Sequence, residues 1–173
     1  MELKDFITDL LGGLPRTLHV ALDGITAEQL TYRPAEQSNT IAWLVWHLTR
    51  IQDRIVSDLA GREQAWAANG WHAKFGRPAH AGDTGIGCTP EQVLSIQPEG
   101  PQLLLDYYDA VFKRSAYYLQ TVTPADLDRV LDPNNPEMTV GNRLRTCILD
   151  NAQHGGQAAY LRGLIESRRV YPR

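Results

Sequence analysis

The chain predicts an all-α fold, a four-helix bundle, on three observations. Four long segments carry apolar residues at three- and four-residue spacing, no segment sustains apolar–polar alternation, and no internal repeat marks a solenoid. At 173 residues the chain has the size of one domain built on a single core, so one domain over residues 1–173 is expected.

The first helix spans about Leu3 to Leu22, with Phe6, Leu10, Leu14, Leu18 and Leu22 as its stripe. Gly12, Gly13 and Pro15 predict a kink or a split near Pro15. Thr26 and Gln29 form a capping box for a short turn of helix that Arg33-Pro34 ends. A second long helix starts near Ser38 or Asn39 and continues to Leu59, with Gly61 just past its end. Its stripe reads Ile41, Leu44, Val45, Leu48, Ile51, Ile55, Leu59. His47 falls between Leu44 and Ile51 at helical spacing, so it points into that stripe or along its margin, where Trp43 and Trp46 shield it from water.

From Arg62 to Pro101 glycines and prolines break the periodicity, while Trp66, Trp71 and Phe75 supply anchors. Connections of this length are commonly lids or binding walls, which is the expectation for the loop 62–100. Within it, Thr89-Pro90-Glu91-Gln92 predicts a short helix through Ile96. The third long helix runs from about Pro101 to Thr121, with Leu104, Tyr108, Val111, Phe112, Ser115, Tyr118 and Leu119 inward. Thr123-Pro124 caps another short turn, and DPNNPEM reads as a turn or loop. Thr139 then caps a fourth helix to about Arg168. Its row Leu144, Ile148, Ala152, Gly155, Ala159 is small enough to admit a close neighbour.

Charge narrows the function classes. A net charge of -3 and a pI near 5.9, with no window dense in Lys and Arg, argue against nucleic acid and anionic membrane surfaces as partners. No apolar stretch approaches the roughly 20 residues that span a bilayer, and the N-terminal residues lack a signal-peptide pattern, so a cytoplasmic protein is expected. The two cysteines, Cys88 and Cys147, are too few for a disulfide framework.

The chemistry-bearing residues lie far apart in sequence. Asp150 and His154 are spaced i, i+4 and share one face of the fourth helix; His47 on the second helix would complete a three-ligand site. Three nitrogen and oxygen ligands with one position left open describe a catalytic divalent cation, zinc first, nickel or iron second. The plainer alternatives are a hydrogen-bonded core histidine at His47 and a surface i, i+4 pair at Asp150 and His154. Against the surface pair stand the apolar neighbours Ile148, Leu149, Ala152, Ala158 and Ala159. Gln157 is placed to orient a ligand, His72 and His80 are loop histidines able to add a fourth, and Cys147 is expected in the core. Arg50 and Arg54 read as surface cations paired with Asp53 or Asp58, or as contacts for an anionic substrate. The four tryptophans read as core or as the wall of an apolar pocket. No phosphate loop, nucleophile elbow or zinc-finger cysteine pair competes with this reading.

The segments NTIAWLVWHLTRIQD, DLAGREQAW…GW…FG and LDNAQHGGQAAYLRG, over nearly the full chain, resemble the DinB-like (YfiT-like) superfamily of metalloenzymes. The resemblance implies an up-down-down-up four-helix bundle, commonly a homodimer, with a divalent metal on His47, Asp150 and His154. An acidic residue at the middle position is similar to the thiol-dependent branch, which includes thiol S-transferases and a mycothiol-dependent maleylpyruvate isomerase. The expected activity is therefore metal-dependent transfer of a low-molecular-weight thiol to an electrophilic small molecule. The alternatives are a metal-dependent hydrolase and a non-catalytic small-molecule or metal-binding protein on the same scaffold.

Overall fold

The structure, a computed structural model, describes residues 1–170. Its long helices are α1 (Leu3–Leu22), α3 (Ile41–Ala60), α7 (Pro101–Leu119) and α9 (Val140–Glu166). Short helices α2 (Ala27–Thr31), α4 (Ala65–Ala68), α5 (Trp71–Lys74), α6 (Pro90–Leu94) and α8 (Pro124–Leu127) lie in the connections. The helix starts follow from side-chain caps: Thr40, Thr89, Thr123 and Thr139 each accept a backbone N–H three residues on. The cap of α3 is thus Thr40, one residue past the expected Asn39, and Gly61 closes that helix in the left-handed conformation at φ 61°.

Contacts between the long helices fix their directions. Gly12 faces Phe112 and His19 approaches Asp109, so α1 and α7 are antiparallel. Arg50 meets Tyr107 and Gln52 meets Ser115, so α3 and α7 run parallel. Leu14 packs on Gly155 and Arg162 donates to the Asp23 carbonyl, so α1 and α9 run parallel too. The result is the up-down-down-up order, with α3 packed against both α7 and α9. A Cβ at Gly155 would overlap Leu14 Cδ1, so any side chain there must push Leu14 aside; the expected close approach on α9 occurs at this residue.

Several expectations are corrected. Pro15 does not split α1, which continues unbroken. The α1 stripe is Ile7, Leu11, Leu14, Leu18 and Leu22, while Phe6 and Leu10 are exposed. A strict four-residue spacing drifts about 40° per step around a 3.6-residue turn, so Phe6 ends far round the helix from Leu22. The same drift moves the buried row of α9 onto Leu144, Cys147, Asn151, Gly155 and Ala158, leaving Ile148 half-buried and Leu149 and Ala152 exposed. DPNNPEM is not a plain loop: β1 (Val130–Asp132) pairs antiparallel with β2 (Asn135–Thr139), and the Asp132 carboxylate accepts the Asn134 N–H in the turn. Strands of three and five residues are too short to show alternation.

Among the described residues no helix is long and apolar enough to cross a membrane. From Ile41 to Asp53 every residue of α3 is buried, so α3 is the central helix and the 62–100 segment wraps its otherwise open side.

Candidate metal centre

His47, Asp150 and His154 converge. One ligand atom from each lies within 4.8 Å of the others, and among the described residues no other set of three His, Cys, Asp or Glu side chains does the same. Asp150 Oδ1 is 3.7 Å from His47 Nε2 and 3.6 Å from His154 Nε2. Two donors bound at about 2.1 Å to one tetrahedral ion lie about 3.4 Å apart, so these separations need to contract only slightly. The second carboxylate oxygen, Oδ2, is buried with no hydrogen-bond partner, a costly state that a cation relieves. Donor types, spacing and this orphaned oxygen all fit a divalent cation.

Both imidazoles are oriented from behind. His47 Nδ1 donates to the Thr84 carbonyl, and His154 Nδ1 donates to Gln157 Oε1 at 2.7 Å. Each Nε2 is thereby left as a lone pair directed toward Asp150, the form that ligates metal. Trp43 stacks on His47 with ring centroids 4.5 Å apart and planes 7° apart, and meets His154 edge-on at 6.1 Å. His47 is 5 % exposed, whereas the Asp150 and His154 side chains keep about a fifth or less of their surface, so solvent reaches the centre from the α9 side.

The remaining candidates fall elsewhere. His72 is half-buried on α5 and His80 is exposed, its ring accepting the Gly82 N–H; neither joins the cluster. His19 is exposed beside Asp109. Trp46, Trp66 and Trp71 belong to the core, and only Trp43 touches a candidate ligand. Cys147 is fully buried; burial, then the Asp150 charge, pushes its thiol up to about 12.

Arg50 is neither a surface cation nor a substrate contact. It is fully buried, pairs with Asp53, and donates to Tyr107 Oη, Gln64 Oε1 and the Ala81 and Asp83 carbonyls. Arg54 is half-buried in a groove with Asp58 and Arg143. Asp53 accepts from the Ala65 and Trp66 backbone N–H groups, Ser57 and Tyr107. Burial first, and the Asp53 charge second, holds the Tyr107 hydroxyl well above its ordinary range. Sequence spacing missed Asp83, Thr84 and Gly85, because a backbone carbonyl partner leaves no residue-type signature.

The DinB superfamily model matches residues 11–158, a span that holds all three converging side chains. The chain belongs to the DinB superfamily. A crystal structure of a conserved protein from Enterococcus faecalis is similar to this DinB protein, with TM-score 0.88 and 27 % identity over 97 % of this chain and 99 % of that one. None of the curated proteins matches the chain.

Proposed function

We propose that this DinB protein is a divalent-metal enzyme, zinc being the first choice of ion, that transfers a low-molecular-weight thiol to an electrophilic small molecule. The observation that carries the reading is the His47–Asp150–His154 convergence with both Nδ1 atoms occupied by internal acceptors. A divalent cation held there lowers the pKa of a coordinated thiol or water to near neutrality. Asp150 supplies the negative charge that two neutral imidazoles lack. Trp43 covers one face of His47 and excludes water from it. The chain's own buried thiol is no rival nucleophile, since Cys147 stays protonated at neutral pH. The choice of thiol over water rests on the acidic residue at position 150 and the family resemblance it supports.

The test is elemental analysis followed by turnover. Stoichiometric metal in the wild type, lost in His154→Ala, with conjugation of a model electrophile only when a cellular thiol is added, is the expected result. Turnover without thiol makes the protein a hydrolase instead. A metal-free, folded wild type that binds a small molecule makes it a non-catalytic binder. Pairing of two copies belongs to the same proposal: Leu149, Tyr160 and Leu164 form an exposed row on α9 with Gly156 midway. Sedimentation equilibrium should give twice the chain mass, and Tyr160→Glu should halve it.

A further inference from the structure

The loop that closes over α3 makes a contact that no ligand-spacing argument anticipates. Thr84 places its carbonyl on His47 Nδ1, and the next residue, Gly85, lies so close that a Cβ would stand 3.0 Å from that same nitrogen and 2.9 Å from the Trp46 ring. Gly85 also has φ +88°, a left-handed conformation that a side chain would strain. The segment is tied down on both sides of Thr84. Arg50 donates to the Ala81 carbonyl at 3.1 Å and to the Asp83 carbonyl at 2.8 Å from inside the core. Arg77 forks onto the Asp83 carboxylate, Nε at 2.7 Å and Nη2 at 2.8 Å, from outside. The Arg77 guanidinium in turn lies 5.1 Å from the Trp46 ring centroid, on the same tryptophan that Gly85 touches.

We propose that Asp83 is a positioning residue of the metal centre: held by Arg77 and Arg50, it fixes the strap 81–85, whose Thr84 carbonyl selects the Nδ1–H form of His47 and presents Nε2 to a divalent cation. A carbonyl accepts and never donates, so while the strap is seated only that tautomer is satisfied at a buried ring. With the strap loosened, the two neutral tautomers come closer in energy and the ring is free to rotate. This inference rests on the metal reading above, and it gives the 62–100 connection the role of holding a ligand in register from behind.

The experiment uses the full chain, wild type and Asp83→Asn, freed of metal and held at alkaline pH where imidazoles are neutral. Long-range proton–nitrogen NMR of the histidine rings should show His47 as a single Nδ1–H form in the wild type and as mixed forms in the variant. Zinc affinity, read by competition with a chromophoric chelator, should fall by about 10- to 100-fold, the usual effect of losing a ligand's orienting partner. Arg77→Gln removes the same fork from the opposite side, should reproduce both effects, and keeps the test available if Asp83→Asn does not fold. The double variant should be no worse than the weaker single variant. A pure Nδ1–H signal and unchanged zinc affinity in Asp83→Asn overturn the inference. Zinc binding that His154→Ala abolishes and Asp83→Asn leaves intact sinks this inference alone. A wild type without zinc affinity sinks the metal reading and this inference with it.

Discussion

Replacing Asp53 by Ala should be the most damaging single change away from the candidate metal centre. The carboxylate is 1 % exposed and accepts from the Ala65 N–H at 2.9 Å, the Trp66 N–H at 2.8 Å, Tyr107 Oη at 2.9 Å, Ser57 Oγ at 3.2 Å and Arg50 at 3.3 Å. Removing one partner of a buried ion pair costs about 3–5 kcal/mol, because the other charge stays buried without compensation. Arg50 keeps the Ala81 and Asp83 carbonyls and Gln64, which places the expected loss near the lower end, about 3 kcal/mol. At roughly 2–4 °C per kcal/mol for a chain of this size, that is a fall in Tm of about 6–12 °C. Asp53→Asn should fall between, since the Ala65 and Trp66 N–H groups use different carboxylate oxygens and Asn turns one of those acceptors into an NH2 donor. The assay is urea unfolding followed by circular dichroism, with chelator present so that metal binding does not add stability to either form. A loss under about 1 kcal/mol would show that the Asp53 carboxylate does not hold this network together, because a network this buried cannot lose its only carboxylate so cheaply.

Four further outcomes follow. A thiol reagent at mildly alkaline pH should titrate half-buried Cys88 in the native protein and Cys147 only after denaturation. The raised Cys147 thiol also contributes stability that is full below its ordinary 9.0 and fades as pH climbs toward about 12, so Cys147→Ala should flatten the alkaline limb of a stability–pH curve. Gly155→Val, which forces Leu14 aside, should cost about 1–3 kcal/mol in denaturant unfolding, and pairing it with Leu14→Ala should recover part of that loss. Gln157→Ala should weaken zinc binding by about 10- to 100-fold while leaving the apo melting temperature near the wild-type value, because Gln157 is exposed and touches the site only through His154.

The parts of the molecule written in short-range chemistry were legible. Caps at Thr26, Thr89, Thr123 and Thr139 are local hydrogen bonds, and each sets a helix start as the sequence indicated. The convergence of His47 with Asp150 and His154 was legible because a bundle offers few ways for two amphipathic helices to face each other. What escaped was whatever depends on long-range packing. Phe6 and Leu10 read as core on spacing alone, yet the α1 neighbours select Ile7 and Leu11. Arg50 is a charge on a helix and reads as solvated; only the folded 62–100 segment supplies the carbonyls and the Asp53 environment that bury it.

The enclosure of α3 shapes how this centre can be altered. A helix without a free flank from Ile41 to Asp53 offers no position next to His47 where a new side chain can be introduced without repacking the interior. If the proposed function holds, changes that retune the ion or the substrate therefore come from α9, where Gln153 and Gln157 are exposed beside His154, or from exposed Ile86, next to Gly85. Half of the centre is in effect frozen hardware, and its adaptability is confined to the other half.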